Sequence, residues 1–377
     1  MQTLAQELID QIIDALHISD AGSMKTCGLV CTSWMPRSRH HLFSSVSISR
    51  ANLLPFVELI HASSLLILSF VRDLHLDYDG DPQWLWDLNW IHQCPNLGAF
   101  GLRLHCKVVD LEPIHPHIRA WADSGSISEL SLIGEGIRLE LAAVLDILAD
   151  LPLVTSLHLE GSWSETTSPL PCPPNLHTLA LFHDPDGGEN FLSWLLSFPV
   201  VPRLRSFKCS GPVPYRHHES SMVWYLQRTG GDLQSLSLLF RERWGMELER
   251  DPFDALDLYR LVLPHTTSLR HFSFRFRDPA SMCETLALLS APTLESITIA
   301  RLPNLYSPDN KVPWSVLDKA LADPRFQNLR HLSVVTISKD GVETSLITSQ
   351  TQGLMPLATA RGLLGPRLQD RHIHIHA

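Results

Sequence analysis

The pattern of apolar and polar positions changes once near the start of the chain and then becomes repetitive. Residues 1–48 follow a helical spacing. Leu4, Leu8, Ile12 and Leu16 fall on one face of a helix, and Ile9 and Ile13 widen that stripe. Ser19 and Asp20 supply cap-type side chains ahead of a second helix, which opens between Ala21 and Met24 and carries Cys27, Leu29, Val30 and Cys31. A third segment follows Trp34 and Pro36 and runs from Arg37 to Phe43. Three helices of this length bury too little surface to be robust alone.

Beyond this module an apolar-x-x-apolar-x-apolar pattern returns about ten times, at spacings of roughly 22–36 residues. It reads Val71-Leu74-Leu76, Leu97-Phe100-Leu102, Ile127-Leu130-Leu132, Val154-Leu157-Leu159 and Leu176-Leu179-Leu181. It continues as Leu204-Phe207-Cys209, Leu233-Leu236-Leu238, Leu269-Phe272-Phe274, Leu294-Ile297-Ile299 and Leu329-Leu332-Val334. The last two apolar positions of each copy alternate with a polar or small residue, the mark of a strand with one buried side. Helical stripes stand between copies, as in Leu141, Val144, Leu145 and Leu148, in Leu192, Leu195 and Leu196, and in Leu286, Leu288 and Leu289. Prolines at 95, 152, 199, 202 and 292 separate helix from strand, because proline removes a donor and drives the preceding residue toward extended geometry.

One such unit cannot bury its apolar face, whereas stacked units can. The predicted fold class is therefore α/β, with parallel strands on the inside and helices on the outside. Over residues 55–340 this resembles the leucine-rich repeat family, although the asparagine that usually closes the strand segment is mostly absent. The resemblance implies an irregular solenoid. The expected organisation is a three-helix module at 1–48, a repeat region at 49–340 and a poorly ordered tail at 341–377, where the pattern stops and Gly, Gln and Thr are scattered.

Composition narrows the function. The chain is 44% hydrophobic and 19% charged, with a formal charge of −10, and no basic run is present. Nucleic acid requires a cationic footprint, so it is not an expected partner. A membrane is not expected either, because the most apolar stretch, Leu53 to Val71, is broken by Pro55, Glu58 and His61. Glu7, Asp10 and Asp14 do not suit a secretory leader, and the seven dispersed cysteines form no CxxC pair. Cytoplasm or nucleus is the expected location.

The order Leu4-Ala5-Gln6-Glu7-Leu8, Ile12-Ile13, Leu16, Cys27-x-Leu29-Val30-Cys31-x-x-Trp34 and His41-Leu42-Phe43 resembles the F-box, in the form found in F-box proteins of mushroom-forming fungi. The family usually carries proline where this chain has Ala5. The resemblance covers about one eighth of the chain and implies docking on a Skp-type adaptor, which joins a cullin-based ubiquitin ligase. The contacts it implies are Leu4, Leu8, Ile12, Leu29, Val30, Trp34, Leu42 and Phe43. The repeats would then hold a protein substrate. The alternative is a non-catalytic interaction scaffold acting outside a ligase.

Strand positions between the buried apolar residues are expected to face outward. They include Asp73, His75, Asp77, Arg103, Glu129, Ser131, Ser156, Ser237, Ser273, Thr298 and Ser333. His158, Glu160, Phe182, Lys208, His271 and Arg275 are the substrate-binding candidates among them, joined by Arg243 and Trp244 from a long interruption of the repeat. No phosphate-binding loop or nucleophile elbow is present, and no spacing pairs an acid with a base, so no catalytic residue and no cofactor is implied. Cys27 and Cys31 are expected to be buried and inert. His372, His374 and His376 alternate at the C-terminus and are read as tail rather than a metal site.

Overall fold

The computed structural model describes residues 5–19, 23–63, 66–105, 111–112, 114–124, 127–164, 175–183, 185–212, 220–241, 255–276, 279–301, 314–337, 343–345 and 353–364. The chain divides into two compact units, Met1–Gly161 with Ser168–Asn175, and Ser162–Thr167 with Leu176–Ala377. The first unit opens with α1 (Gln6–Ser19), α2 (Met24–Val30) and α3 (Met35–Leu42), then β1 (Ser45–Ser49), α4 (Leu53–Ala62) and β2 (Asp73–Tyr78). A 3-10 segment, Pro82–Gln93, leads to β3 (Ala99–Leu104), α5 (His115–Ser124), β4 (Glu129–Leu139), α6 (Leu141–Asp150) and β5 (Ser156–Trp163). In the second unit β6 (Thr178–His183), α7 (Pro185–Leu196), β7 (Ser206–Pro212), α8 (Ser221–Thr229), β8 (Ser235–Arg241) and α9 (Ala255–Val262) follow one another. It closes with β9 (His271–Arg275), α10 (Pro279–Leu288), β10 (Ser296–Arg301), α11 (Trp314–Leu321), β11 (His331–Ile337), β12 (Glu343–Ser345) and α12 (Pro356–Ala360).

Within each unit the strands lie side by side in chain order. The pairs from β1 to β4 and from β6 to β11 are parallel, and β12 runs antiparallel to β11. Register is set by the leucine pattern. Val46, Leu74, Phe100 and Leu130 stand in one row of the first unit, with Ile48, Leu76, Leu102 and Leu132 in the next. In the second unit Leu179, Phe207, Leu236, Phe272, Ile297 and Leu332 line up in the same way. Every one of these side chains is buried, each contributing about 1.5–3 kcal/mol relative to an exposed position. On the other side of the rows the helices also contact their chain neighbours, as α7 does α8, α8 does α9 and α9 does α10.

Two backbone devices repeat with the leucines. At the start of β2–β5 and of β7–β11, two consecutive N–H groups donate to one carbonyl at the start of the preceding repeat, at 2.8–3.1 Å. The accepting residues are Ser44, Arg72, Gly98 and Ser128 in the first unit and His177, Arg205, Gln234, Arg270 and Glu295 in the second. The residue before the first apolar position often ties its repeat to the previous turn through its side chain. Asn96 donates to Ser69 O at 2.6 Å, Asn175 to Pro152 O at 3.3 Å, Thr293 to Leu269 O at 2.9 Å and Asn328 to Pro292 O at 2.8 Å.

The structure corrects two boundaries. The strand stack begins at Ser45, inside the segment assigned to the helical module, because Val46 and Ile48 continue the buried rows of β2. The stretch after residue 340 is not uniformly disordered, since β12 pairs with β11 and Met355, Ala358, Leu363 and Leu364 are buried. Leu363 O accepts from Leu332 N–H at 2.9 Å, and the Asp318 carboxylate accepts from the Leu357 and Ala358 N–H groups at 3.1 and 2.8 Å. Residues 365–377, with the alternating histidines, lie outside the described residues.

Replacing Asn328 with Ala removes one inter-repeat hydrogen bond and should lower unfolding free energy by about 1 kcal/mol, read from the urea midpoint at unchanged m-value. Asp318→Ala leaves two N–H groups of the tail without acceptors. Its expected signature is faster hydrogen exchange at Leu332 and across residues 355–364, with the first unit unaffected.

Candidate protein-interaction surfaces

The N-terminal module is built around Ile9 and Ile13, both buried, against which Leu16, Trp34 and Leu42 pack in part. This joins α1 to α3, while α2 contacts both helices. A polar clamp fixes the same junction. Asp14 accepts from Arg37 Nε at 2.6 Å and Nη2 at 2.7 Å, and its Oδ1 also meets His41 Nε2 at 2.7 Å. The Arg37 hydrogen bond holds the Asp14 carboxyl down at about 2, against an ordinary 3.8. His17 stacks on His41 with ring centroids 4.4 Å apart, and His40 meets Phe70 edge-on at 5.9 Å, which links the module to the first strands. Burial pushes the His40 imidazole below its usual pKa, favouring the neutral ring.

The residues expected to touch an adaptor divide into two groups. Leu8 and Ile12 on α1, and Leu29 and Val30 at the end of α2, are 48%, 41%, 85% and 61% exposed. Trp34, Leu42 and Phe43 are half-buried, and the first two help to close the module itself. Leu4 lies outside the described residues. Cys27 is buried as expected, but Cys31 is exposed, because α2 ends at Val30 and the chain turns outward. Its thiol lies 3.0 Å from Ser33 Oγ, an interaction that lowers its pKa below the ordinary value.

On the sheet, the face opposite the leucine rows carries the positions expected to point outward. In the first unit it is acid- and imidazole-bearing. Asp73 is held above the ordinary carboxylate range by burial, and Asp77 lies 3.9 Å from both Arg103 and His105. His75 leans across Gly101 so closely that a Cβ there would sit 2.3 Å from its Nδ1, so any larger residue at 101 would have to displace the His75 ring. Ser131 Oγ is 3.2 Å from His158 Nδ1, and His158 Nε2 is 3.7 Å from Glu160.

In the second unit the same face is lined with hydroxyls. Lys208, Ser237, Ser273, Thr298 and Ser333 stand in register across five strands. The next outward position is covered on five of the six strands from β6 to β11, Ser210 of β7 being half-buried. Phe182, Leu239, Arg275, Ala300 and Val335 are all buried there, and Leu239, Ala300 and Val335 form an apolar cluster of their own.

The substrate-binding candidates are corrected accordingly. Phe182 is buried with the Lys208 ammonium 5.1 Å from its ring centre, and Arg275 is buried with Nη1 donating to Phe240 O at 3.1 Å. Glu160 is buried beside His158. These three cannot offer an open surface, because alternation along a strand assigns a face without saying what covers it. His271 is exposed, His158 and Lys208 are half-buried, and Arg243 and Trp244 lie outside the described residues. Among the described residues there is no group of three or more His, Cys, Asp or Glu arranged to hold a metal, and no helix is long and apolar enough to cross a membrane.

No protein-family model matches this sequence, and no curated protein matches it. Among solved structures, the chain is similar to an internalin (inlF) from Listeria monocytogenes at 15% identity, covering 80% of this chain and 68% of that one, with a TM-score of 0.32.

Asp14 generates a pH prediction. Its folded pKa lies below the unfolded value, so its stabilisation is present above about 3.8 and is lost as pH falls through about 2. Asp14→Asn should remove this acid-sensitive component. Because the pair is more than a third exposed, the expected loss near neutral pH is only about 0.5–1 kcal/mol. Acid titrations of the two proteins, followed by far-ultraviolet circular dichroism, should converge near pH 2.

Proposed function

We propose that this chain is the target-recognition subunit of an SCF-type ubiquitin ligase, with α1–α3 docking on a Skp-type adaptor and the repeats holding a protein target. The observation that carries this reading is the exposure of Leu8, Ile12, Leu29 and Val30 on two helices in contact. Large apolar side chains clustered on a small module mark a surface meant for another protein. The order of apolar, Cys and Trp positions that resembles the F-box gives that protein its class. Trp34 and Leu42, contacts in the family, here share their surface between the module's interior and solvent.

On this reading the chain carries out no bond chemistry. It raises the concentration of a target near the conjugating machinery, an effect set by simultaneous binding at two sites. The stacked strands suit this role, since they present successive side chains from many repeats on one face. A cytoplasmic or nuclear location accompanies the proposal. The second reading is a non-catalytic repeat-based scaffold acting outside a ligase, which holds the adaptor without cullin or has lost adaptor binding.

The test uses the exposed pair. Leu29→Asp with Val30→Asp should leave thermal unfolding unchanged, because neither side chain supports the core. Burying the two at an interface is worth about 3 kcal/mol, so adaptor affinity should fall roughly a hundredfold. Affinity capture of the native chain should recover adaptor and cullin together, and the double variant should lose both. Adaptor without cullin would favour the scaffold, and undiminished adaptor capture by the variant would refute the docking surface.

A further inference from the structure

The strand-start edge of the second unit carries a regular array of cations. Arg205, Gln234, Arg270, Glu295 and Arg330 occupy equivalent positions, each immediately before its strand and each donating its N–H to the equivalent residue of the preceding repeat. Arginine thus recurs ahead of β7, β9 and β11. All three are exposed. Arg270 meets Glu295 at 3.4 Å, while Arg205 and Arg330 make no ion pair among the described residues. The two rows that follow along these strands contain no carboxylate. From β6 to β11 the first reads Thr178, Ser206, Ser235, His271, Ser296 and His331, and the second reads Ala180, Lys208, Ser237, Ser273, Thr298 and Ser333. On a chain with a formal charge of −10, this surface has four permanent cations and one carboxylate, backed by hydroxyls. The equivalent rows of the first unit carry Asp73 and Glu129, with Asp77 and Glu160 one row further on.

Spacing identifies the ligand's geometry. Neighbouring parallel strands lie about 4.8 Å apart, so arginines on every second strand recur at about 9.6 Å. A polyproline II segment turns once every three residues and rises about 3.1 Å per residue, bringing every third side chain back to one face at about 9.3 Å. A β-extended segment repeats a face about every 6.8 Å and falls out of step with the array.

We propose that this edge binds an acidic polypeptide segment in polyproline II conformation, with carboxylates at every third residue facing Arg205, Arg270 and Arg330. The half-buried serine hydroxyls of the two rows accept from and donate to its backbone, which has no internal hydrogen bonds in that conformation, while Thr298 is buried and takes no part. The Arg270–Glu295 contact is an exposed pair of little net strength, and Arg270 exchanges it for the ligand carboxylate. This deepens the reading of the repeats as the target-binding part and rests on it.

The experiment measures fluorescence anisotropy of the full chain with a labelled peptide of three Glu-Pro-Pro units. A peptide of equal length and composition with its three glutamates contiguous serves as comparison. Expected results are tighter binding of the spaced peptide, loss of binding with rising salt, and at least tenfold weakening in the Arg205→Gln, Arg330→Gln double variant. Arg119→Gln, on the exposed surface of the first unit, should bind as the native chain does. Three results would each overturn the proposal: no binding of the spaced peptide, equal binding of the contiguous one, or affinity unchanged in the double variant. So would tighter binding of a single-stranded RNA of equal charge. Adaptor capture through Leu29 and Val30 does not involve these residues, so a negative result here leaves the recruitment reading standing.

Discussion

Every strand in this chain depends on a neighbour to bury it. Leu74 and Leu76, or Leu236 and Leu238, form an apolar pair too short to make a core, and become buried only when the pairs before and after them stand in the same row. The repeated sharing of one carbonyl by two N–H groups holds that row in register, because a slip of one residue would turn each pair to the open face. The first strand of the first unit and the last parallel strand of the second each leave an edge to be covered. At the first, the Ser44 carbonyl faces β2, so Ser47 and Ser49 present their backbone groups on the outer edge of β1. Asn52 closes that edge, accepting from Ser49 N–H at 2.8 Å and donating to Ser47 O at 2.9 Å. At the other, β12 and Leu363 occupy β11. Both closures serve to protect an exposed edge from pairing with another chain.

Much of this was legible because the repeat is written in leucines. Each three-position copy from Val71 to Val334 became a strand entry with its apolar residues turned to the core. The omissions have a physical pattern. Val46 and Ile48 were hidden because a two-residue alternation is weak beside the strong helical text that precedes it. The ties made by Asn96, Asn175, Thr293 and Asn328 could have been found, since three of the four follow a proline and all four precede the first apolar position of a copy. The asparagine expected at the end of the strand segment stands instead at its beginning, where it bonds to the previous turn. The tail could not be read, because its anchor is Asp318, some 40 residues earlier, and nothing local announces that pairing.

The helical module shows how a sequence can specify an interior and an exposed apolar surface with one stripe. The apolar face of α1 runs through Leu8, Ile9, Ile12, Ile13 and Leu16, wider than a three-helix contact can cover. Ile9 and Ile13 take the inside, and Leu8 and Ile12 are left in water. Periodicity alone could not make this division, because all of these positions satisfy a helical spacing. The Asp14–Arg37–His41 clamp sits at the same junction and fixes α3 against α1 without using apolar surface. The polar contacts therefore hold the module closed while its remaining hydrophobic surface stays available.

The two candidate surfaces draw on different chemistry and different parts of the chain, so the proposed adaptor and target would not compete for the same side chains. The module offers apolar groups from α1 and α2, whereas the strand-start edge of the second unit offers arginine, histidine and hydroxyl. The third row of the second unit is largely closed. Phe182, Leu239, Arg275, Ala300 and Val335 are buried there and Ser210 is half-buried, so the open part of this face lies in the edge, the first row, and Lys208 and the serines of the second, Ala180 and Thr298 being buried. These are the positions where carboxylates are missing apart from the one at Glu295, so burial and charge select the same strip of the sheet. An ordinary solvated face would need neither the exclusion of acids nor the regular return of arginine on alternate strands.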